Sequence, residues 1–254
     1  MNTTAAAMNS PAPKFSIIVP AYNEELLLPR LLASIQTARE SYSGGAAAIE
    51  VIVADNTSSD GTAAVAESLG AKVVKVSKRC IAAARNAGAR VAQGEILCFI
   101  DADSEIHPNT FNAIEKTVRS GKYIAGSTGL LPEKKSLGVF VTFWLMQPVI
   151  WLTRIDAGVI FCKREDFETI GGYDETRLYG EDVMFLFAMR TLGRRRGQRL
   201  GRVPGVKALG SARKFDQFGD WHYFGFPLQA LKSLVTGNWN DEKLAQRYWY
   251  NSGR

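Results

Sequence analysis

The chain has 254 residues, 46% of them hydrophobic, which is enough to bury one sizeable α/β core and too apolar for a disordered protein. Its three cysteines, Cys80, Cys98 and Cys162, are odd in number, far apart and set among small or apolar neighbours. That pattern argues against a disulfide framework or a zinc site and fits a reducing, cytoplasmic compartment. The net charge of +6 is unevenly placed: Val183 to Phe215 carries many Arg and Lys residues and no carboxylate, so this stretch is expected to face something anionic.

Residues 1–13 lack both the basic start and the apolar run of a secretory signal and read as a disordered tail. Short apolar runs then alternate with longer amphipathic ones, the signature of β-α units around a mainly parallel sheet. Strands are expected at Phe15–Val19, Ile49–Ala54, Lys72–Val76 and Glu95–Ile100, and helices at Glu24–Arg39, Ser59–Leu69 and Arg79–Ala92. Gly70 and Gly94 stand where helix stops belong. Beyond about Pro132 the pattern changes to an uncharged run, Leu137–Leu152, a strand-like Ala157–Cys162, a Gly171-Gly172 turn and a helix beginning near Glu181.

In open parallel sheets a ligand sits beyond the carboxyl ends of the strands. Strand one runs there into Pro20-Ala21-Tyr22-Asn23-Glu24, strand two into Asp55 to Thr62, and strand four into Asp101-Ala102-Asp103. Two carboxylates one residue apart, delivered by a buried strand, suit a hard divalent cation that also takes diphosphate oxygens, although a solvated strand-end turn would look the same. Asp55 precedes the Ser58-Ser59-Asp60 helix cap by enough to be free for a nucleobase edge or a ribose hydroxyl. Ala82-Ala83-Ala84 gives a small-residue helix face, from which Arg85 projects either as a surface charge or, given its carboxylate neighbours, toward a nucleotide. Glu181 and Asp182 either decorate a helix start, where negative charge is favoured, or offer a general base.

Six motifs carry a family resemblance in their order: Ile17-Ile18-Val19-Pro20-Ala21-Tyr22-Asn23-Glu24-Glu25, Val53-Ala54-Asp55 with Ser59-Asp60-Gly61-Thr62, Ala84-Arg85-Asn86, Asp101-Ala102-Asp103, Gly171-Gly172-Tyr173-Asp174-Glu175 and Glu181-Asp182. Over roughly Lys14 to Arg196 the chain resembles glycosyltransferase family 2. The resemblance implies a GT-A fold and a hexosyltransferase-type transfer of one sugar, with inversion, from a UDP- or GDP-sugar to a hydroxyl acceptor, which is lipid-linked or a cell-envelope glycan. Residues 14–131 would form the nucleotide-sugar-binding half and 132–254 the acceptor-side half of one domain. By the same matching Pro20, Tyr22 and Glu24 line the nucleoside pocket, Asp55 holds the base, Asp101 meets ribose, phosphate or metal, Asp103 binds Mn²⁺ or Mg²⁺, and Asp182 is the base, with Glu181 its competitor. Two departures stand out: Asn56 replaces the usual second acidic residue, and Gln217-Phe218-Gly219-Asp220-Trp221 only echoes the Gln-X-X-Arg-Trp motif of processive synthases.

His107, next to Pro108, reads as structural, whereas His222 among aromatic residues is a candidate third metal ligand. Leu137–Leu152 is too short to span a bilayer of about 30 Å at about 1.5 Å per residue, and it contains Pro148. Flanked by Lys134, Lys135 and Arg154, it is either an interfacial helix at the inner face of a membrane, a buried helix or a dimer contact, so the oligomeric state stays open. The basic stretch lacks the interleaved aromatics of a nucleic-acid platform and suits anionic lipid, a solvated face or a substrate diphosphate. Ser211 to Phe215 reads as a strand end carrying Arg213 and Lys214 toward the site. A sugar nucleotidyltransferase would want a Gly-rich basic loop where Tyr22-Asn23-Glu24-Glu25 stands, and a non-catalytic nucleotide-binding scaffold would not need both Asp101/Asp103 and Asp182.

Overall fold

The structure is a computed structural model, and it describes residues 12–177 and 179–221. The apolar runs form strands β1 (Phe15–Ala21), β2 (Ile49–Asp55), β3 (Lys72–Lys75) and β4 (Ile96–Phe99), all mutually parallel in the order β3-β2-β1-β4. β1 and β4 are buried along their whole length, as a sheet covered on both faces requires. The sheet then grows to seven strands through β8 (Ile160–Lys163), β6 (Tyr123–Ser127) and β9 (Arg199–Arg202), in the order β4-β8-β6-β9. β8 is antiparallel to both neighbours, because the chain re-enters it from the carboxyl edge of the parallel strands. Strands from both halves of the sequence therefore share one sheet.

Helix α1 (Leu28–Glu40) starts four residues later than expected from Glu24. Pro29 suits its first turn, and the preceding Asn23, at φ 51, turns the chain so that Glu24–Leu27 lie outside the helix. Helices α2 (Thr62–Ser68) and α3 (Ile81–Val91) are likewise shorter than their amphipathic patterns. α3 lies directly on β1: a Cβ on Gly88 would stand 2.5 Å from Ile18 Cγ2. Gly70 ends α2 in the left-handed region, as a helix stop should. Gly94 serves a different purpose, since a Cβ there would stand 2.5 Å from the Phe15 carbonyl carbon. Aromatic clusters fill the core on each face, Phe15 with Tyr42 and Phe111 on one and Phe99 with Phe167, Tyr173 and Phe185 on the other.

A small second sheet joins β5 (Ser104–Glu105), β10 (Ala208–Gly210) and β7 (Leu130–Pro132). Because β10 pairs with β5 directly after Asp103, the segment that follows β10 is delivered to the Asp101-Ala102-Asp103 turn. The strand ends at Gly210, three residues before Arg213 opens helix α8 (Arg213–Phe218), so the strand end expected through Phe215 is a helix start. The remaining helices are α4 (Thr110–Arg119), α5 (Leu137–Thr153), α6 (Arg164–Ile170) and α7 (Glu181–Arg195).

Candidate active site

At the carboxyl edge two loops lock together. Glu24 N–H donates to Thr62 Oγ1 (2.8 Å), Glu25 Oε2 accepts from Gly61 N–H (2.7 Å), and Asn23 Oδ1 accepts from Ser59 N–H (2.8 Å). The polar residues after strands one and two therefore hold each other. Thr57 sits at φ 62, a strained conformation for a β-branched residue, so the surrounding loop must over-determine it. Asp55 is not free, as its spacing suggested: it is buried, and Oδ1 accepts the Ser58 N–H at 3.0 Å. Its neighbour Asn56 is buried too, with Oδ1 lacking a partner. Pro20 lies within buried β1 and Tyr22 is half-buried beneath the Arg79 guanidinium, 4.2 Å from its ring centroid.

Asp101 and Asp103 face two different arginines. Arg85, from α3, is 2% exposed. Its Nη1 donates to Glu181 Oε1 (2.8 Å) and Asp182 Oδ1 (2.6 Å), and its Nη2 to Asp101 Oδ1 (2.9 Å). Burial alone would lower its pKa, but Asp182, Tyr173, Asp101 and Glu181 outweigh that and hold it well above its ordinary value, so the cation persists. Arg85 is therefore not a surface charge but the hub of an ionic cluster. Beneath it lies the Tyr173 ring, 5.2 Å from the guanidinium and stacked on Phe185 at 4.3 Å.

Asn86, one residue on, fixes the glycine turn. Its Nδ2 donates to Tyr173 O (2.9 Å) and Glu175 Oε1 (3.0 Å), and its Oδ1 accepts from Tyr173 N–H (2.9 Å). Gly172, at φ 78, has no room for a side chain, because a Cβ would stand 2.7 Å from that same Oδ1. Thus the Arg85-Asn86 pair ties the Gly-Gly-Tyr-Asp-Glu turn and the start of α7 to the end of β4. Sequence reasoning quoted Asn86 without a role, because an amide 87 residues from Tyr173 carries no signal before the turn and helix are placed together.

Glu181 and Asp182 both reach the same Arg85 nitrogen, so their separation on the helix does not exclude either from the cluster. They differ in access: the Glu181 side chain is 9% exposed and that of Asp182 is 34% exposed. Burial, reinforced by the neighbouring Glu181 and Asp101 charges and opposed by Arg85, pushes the Asp182 carboxyl up to about 7. The α7 N-terminus has no side-chain cap.

The second arginine, Arg213, donates from Nη1 to Glu24 Oε2 (2.9 Å) and from Nη2 to Glu24 Oε1 (3.0 Å) and Asp103 Oδ2 (3.0 Å). This fork joins the loop after β1, the turn after β4 and the start of α8. Asp101 and Asp103 each give one oxygen to an arginine and keep a second for a ligand. Among the described residues no three His, Cys, Asp or Glu side chains converge as a ready-made metal cage. Two carboxylate oxygens nevertheless fit Mg²⁺ or Mn²⁺, which binds through one or two carboxylates and completes its shell with phosphate oxygens and water. His222 lies outside the described residues. His107 is structural, its Nδ1 accepting the Asn109 N–H at 3.1 Å.

A mainly parallel sheet with an acidic carboxyl edge, an added antiparallel strand and a small second sheet is the architecture of the GT-A glycosyltransferases. The family model described as Glycosyl transferase family 2 matches residues 16–134 of the chain. The chain is similar to the 4,4'-diaponeurosporenoate glycosyltransferase of Staphylococcus haemolyticus, 38% identical over 117 residues that make up 41% of this chain and 28% of the relative. It is also similar to the GalNAc(5)-diNAcBac-PP-undecaprenol beta-1,3-glucosyltransferase of Campylobacter jejuni, 28% identical over 116 residues, 43% of this chain and 36% of the relative. The match thus spans about a third of these relatives' lengths. In fold it resembles the mannosyltransferase PcManGT of Pyrobaculum calidifontis, solved with GDP-Man and Mn²⁺, with a TM-score of 0.64 at 23% identity, covering 86% of this chain and 65% of that one.

Proposed function

We propose that the protein is a hexosyltransferase-type enzyme that moves one sugar, with inversion, from a UDP- or GDP-sugar to a hydroxyl acceptor, and that Asp182 is its general base. The observation that carries this reading is the pairing of Asp182 and Asp101 on one buried arginine. It sets an accessible carboxylate beside the strand end where the donor diphosphate is expected. Direct displacement needs such a base on the acceptor side, to take the hydroxyl proton as the oxygen attacks the anomeric carbon. A carboxyl titrating near 7 is ionised at neutral pH for about half the molecules and holds a proton well once it takes one. Arg85 is a positioning residue: it fixes the Asp182 oxygen and keeps Glu181 committed beneath.

Asp103, with Asp101, would hold Mn²⁺ or Mg²⁺, which when bound offsets the charge on the leaving diphosphate. Arg213 and Glu24 bracket the same edge, and Tyr22, Pro20 and Asp55 line the nucleoside side. Glu24 and Glu25 make the loop after β1 acidic and bind it to the loop after β2, unlike the basic phosphate cradle of a nucleotidyltransferase. The acceptor is proposed to be lipid-linked or a cell-envelope glycan; the name of the Campylobacter relative, which includes PP-undecaprenol, supports the first.

Asp182→Asn tests the assignment. Binding of UDP or GDP by calorimetry should be retained while turnover falls roughly 10²–10⁴-fold, the usual range for a positioned base. Near-normal turnover in Asp182→Asn together with collapse in Glu181→Gln would transfer the role to Glu181.

A further inference from the structure

Helix α5 leaves the β7 end of the small sheet and returns to β8, on the same edge of the main sheet as Asp101 and Asp103. It is 17 residues long and contains no charged residue. Only Gly138, Val139 and Thr142 are buried against the protein. Its outer face carries Leu137, Phe140, Trp144, Trp151 and Leu152, each between 66% and 77% exposed. At about 100° per residue, Trp144 and Trp151 lie almost in line on that face. Contiguous apolar surface of this extent marks an interaction site on a soluble domain.

Charge at the helix ends identifies the occupant. Lys135 and Arg154 are exposed. The carboxylates beside them in sequence pair elsewhere, Glu133 with Arg30 (2.8 Å) and Asp156 with Arg202 (2.8 Å), and Asp216 and Asp220 at the start of the helix are held by Lys134. A second copy laid antiparallel on this face would set Lys135 of one chain against Arg154 of the other, and a parallel copy would set like residues together. Either pairing brings cation against cation. Anionic headgroups instead complement both ends while the face between them enters the acyl boundary, with tryptophans at the depth they favour. No helix among the described residues is long and apolar enough to cross a membrane, so on a bilayer α5 would lie along the surface, with the protein body in place of the polar face an isolated interfacial helix would need.

We propose that α5 is a docking surface for an anionic lipid bilayer. Its start is tied to the donor edge: Lys134 pairs with Asp216 of α8 (2.7 Å) and with Asp220 (2.9 Å), and α8 opens with Arg213, the partner of Asp103. Docking through α5 therefore holds the candidate active site at the membrane surface, where an acceptor on a lipid carrier would be presented.

The experiment is co-sedimentation of the full chain with phosphatidylcholine vesicles, with and without phosphatidylglycerol, in the absence of donor and acceptor, so its outcome is independent of the transfer reading. The chain should sediment with the anionic vesicles at low salt and be released as salt rises. Lys135→Gln and Arg154→Gln should each weaken binding about fivefold, from roughly 1 kcal/mol per cation near an anionic surface. Trp144→Ser/Trp151→Ser should abolish it while the thermal melting curve is kept, since both side chains stand outside the core. Recovery of the parent chain wholly in the supernatant overturns the proposal. So does a dimer in sedimentation velocity that dissociates in the double tryptophan variant, because the face would then belong to a second copy.

Discussion

Replacing Arg85 with methionine removes the cation that three carboxylates share in the cluster between α3, β4 and α7. Breaking a buried ion pair by deleting one partner costs about 3–5 kcal/mol, because the other charge is left without compensation. Here the three partners are unequally sealed: Asp101 is 54% exposed and recovers solvent, whereas Glu181, at 9%, cannot. The loss should therefore fall near the lower end, about 3 kcal/mol, which for a domain of this size lowers the melting temperature by roughly 6–12 °C. Equilibrium unfolding in urea measures it. Adding Glu181→Gln to the variant should restore a good part of the loss, since it removes the charge that cannot be resolvated. The penalty should also shrink in acid. Orphaned carboxylates have raised pKa values in the folded state, so the folded variant binds more protons than the unfolded chain and loses stability as pH rises from about 4. A loss under about 1 kcal/mol at neutral pH, or no rescue by Glu181→Gln, would mean that Arg85 does not carry the cluster.

The raised carboxyl of Asp182 sets a pH dependence. As the base must be ionised, kcat should climb with pH through about 7 to a plateau, and the limb should vanish from the residual activity of Asp182→Asn; a limb that persists there assigns the titration to another group. Asp103→Asn should abolish the Mn²⁺-dependent part of UDP or GDP affinity while leaving the fold intact. Arg213→Gln should increase Mn²⁺ binding to the nucleotide-free protein, because a cation 3.0 Å from Asp103 competes with the metal; nucleotide affinities that are equal with and without chelator refute the first expectation, and a Mn²⁺ affinity no higher in Arg213→Gln than in the parent refutes the second.

Composition, periodicity and motif order determined the sheet of β1 to β4, the helices between them, and which turns gather at the carboxyl edge. That information is local: an apolar run that repeats or alternates needs no partner to be recognised, and the Asp101-Ala102-Asp103 turn follows wherever its buried strand ends. What the tertiary structure alone decided is how the charges pair. Arg85 read as a surface charge or a nucleotide ligand and Arg213 as a cation carried toward the site, and each is forked between carboxylates from elements up to 97 and 189 residues away. Asp55 read as a free acceptor, and a turn closes on it. The accessibility that separates Asp182 from Glu181 depends on how deep α7 is seated, which a helical repeat does not encode. The same holds for α5. Its sequence suits a core helix, a dimer contact or a membrane face equally, since an apolar side chain is defined by what buries it, and only placement in the fold shows an outer face that the described residues leave open.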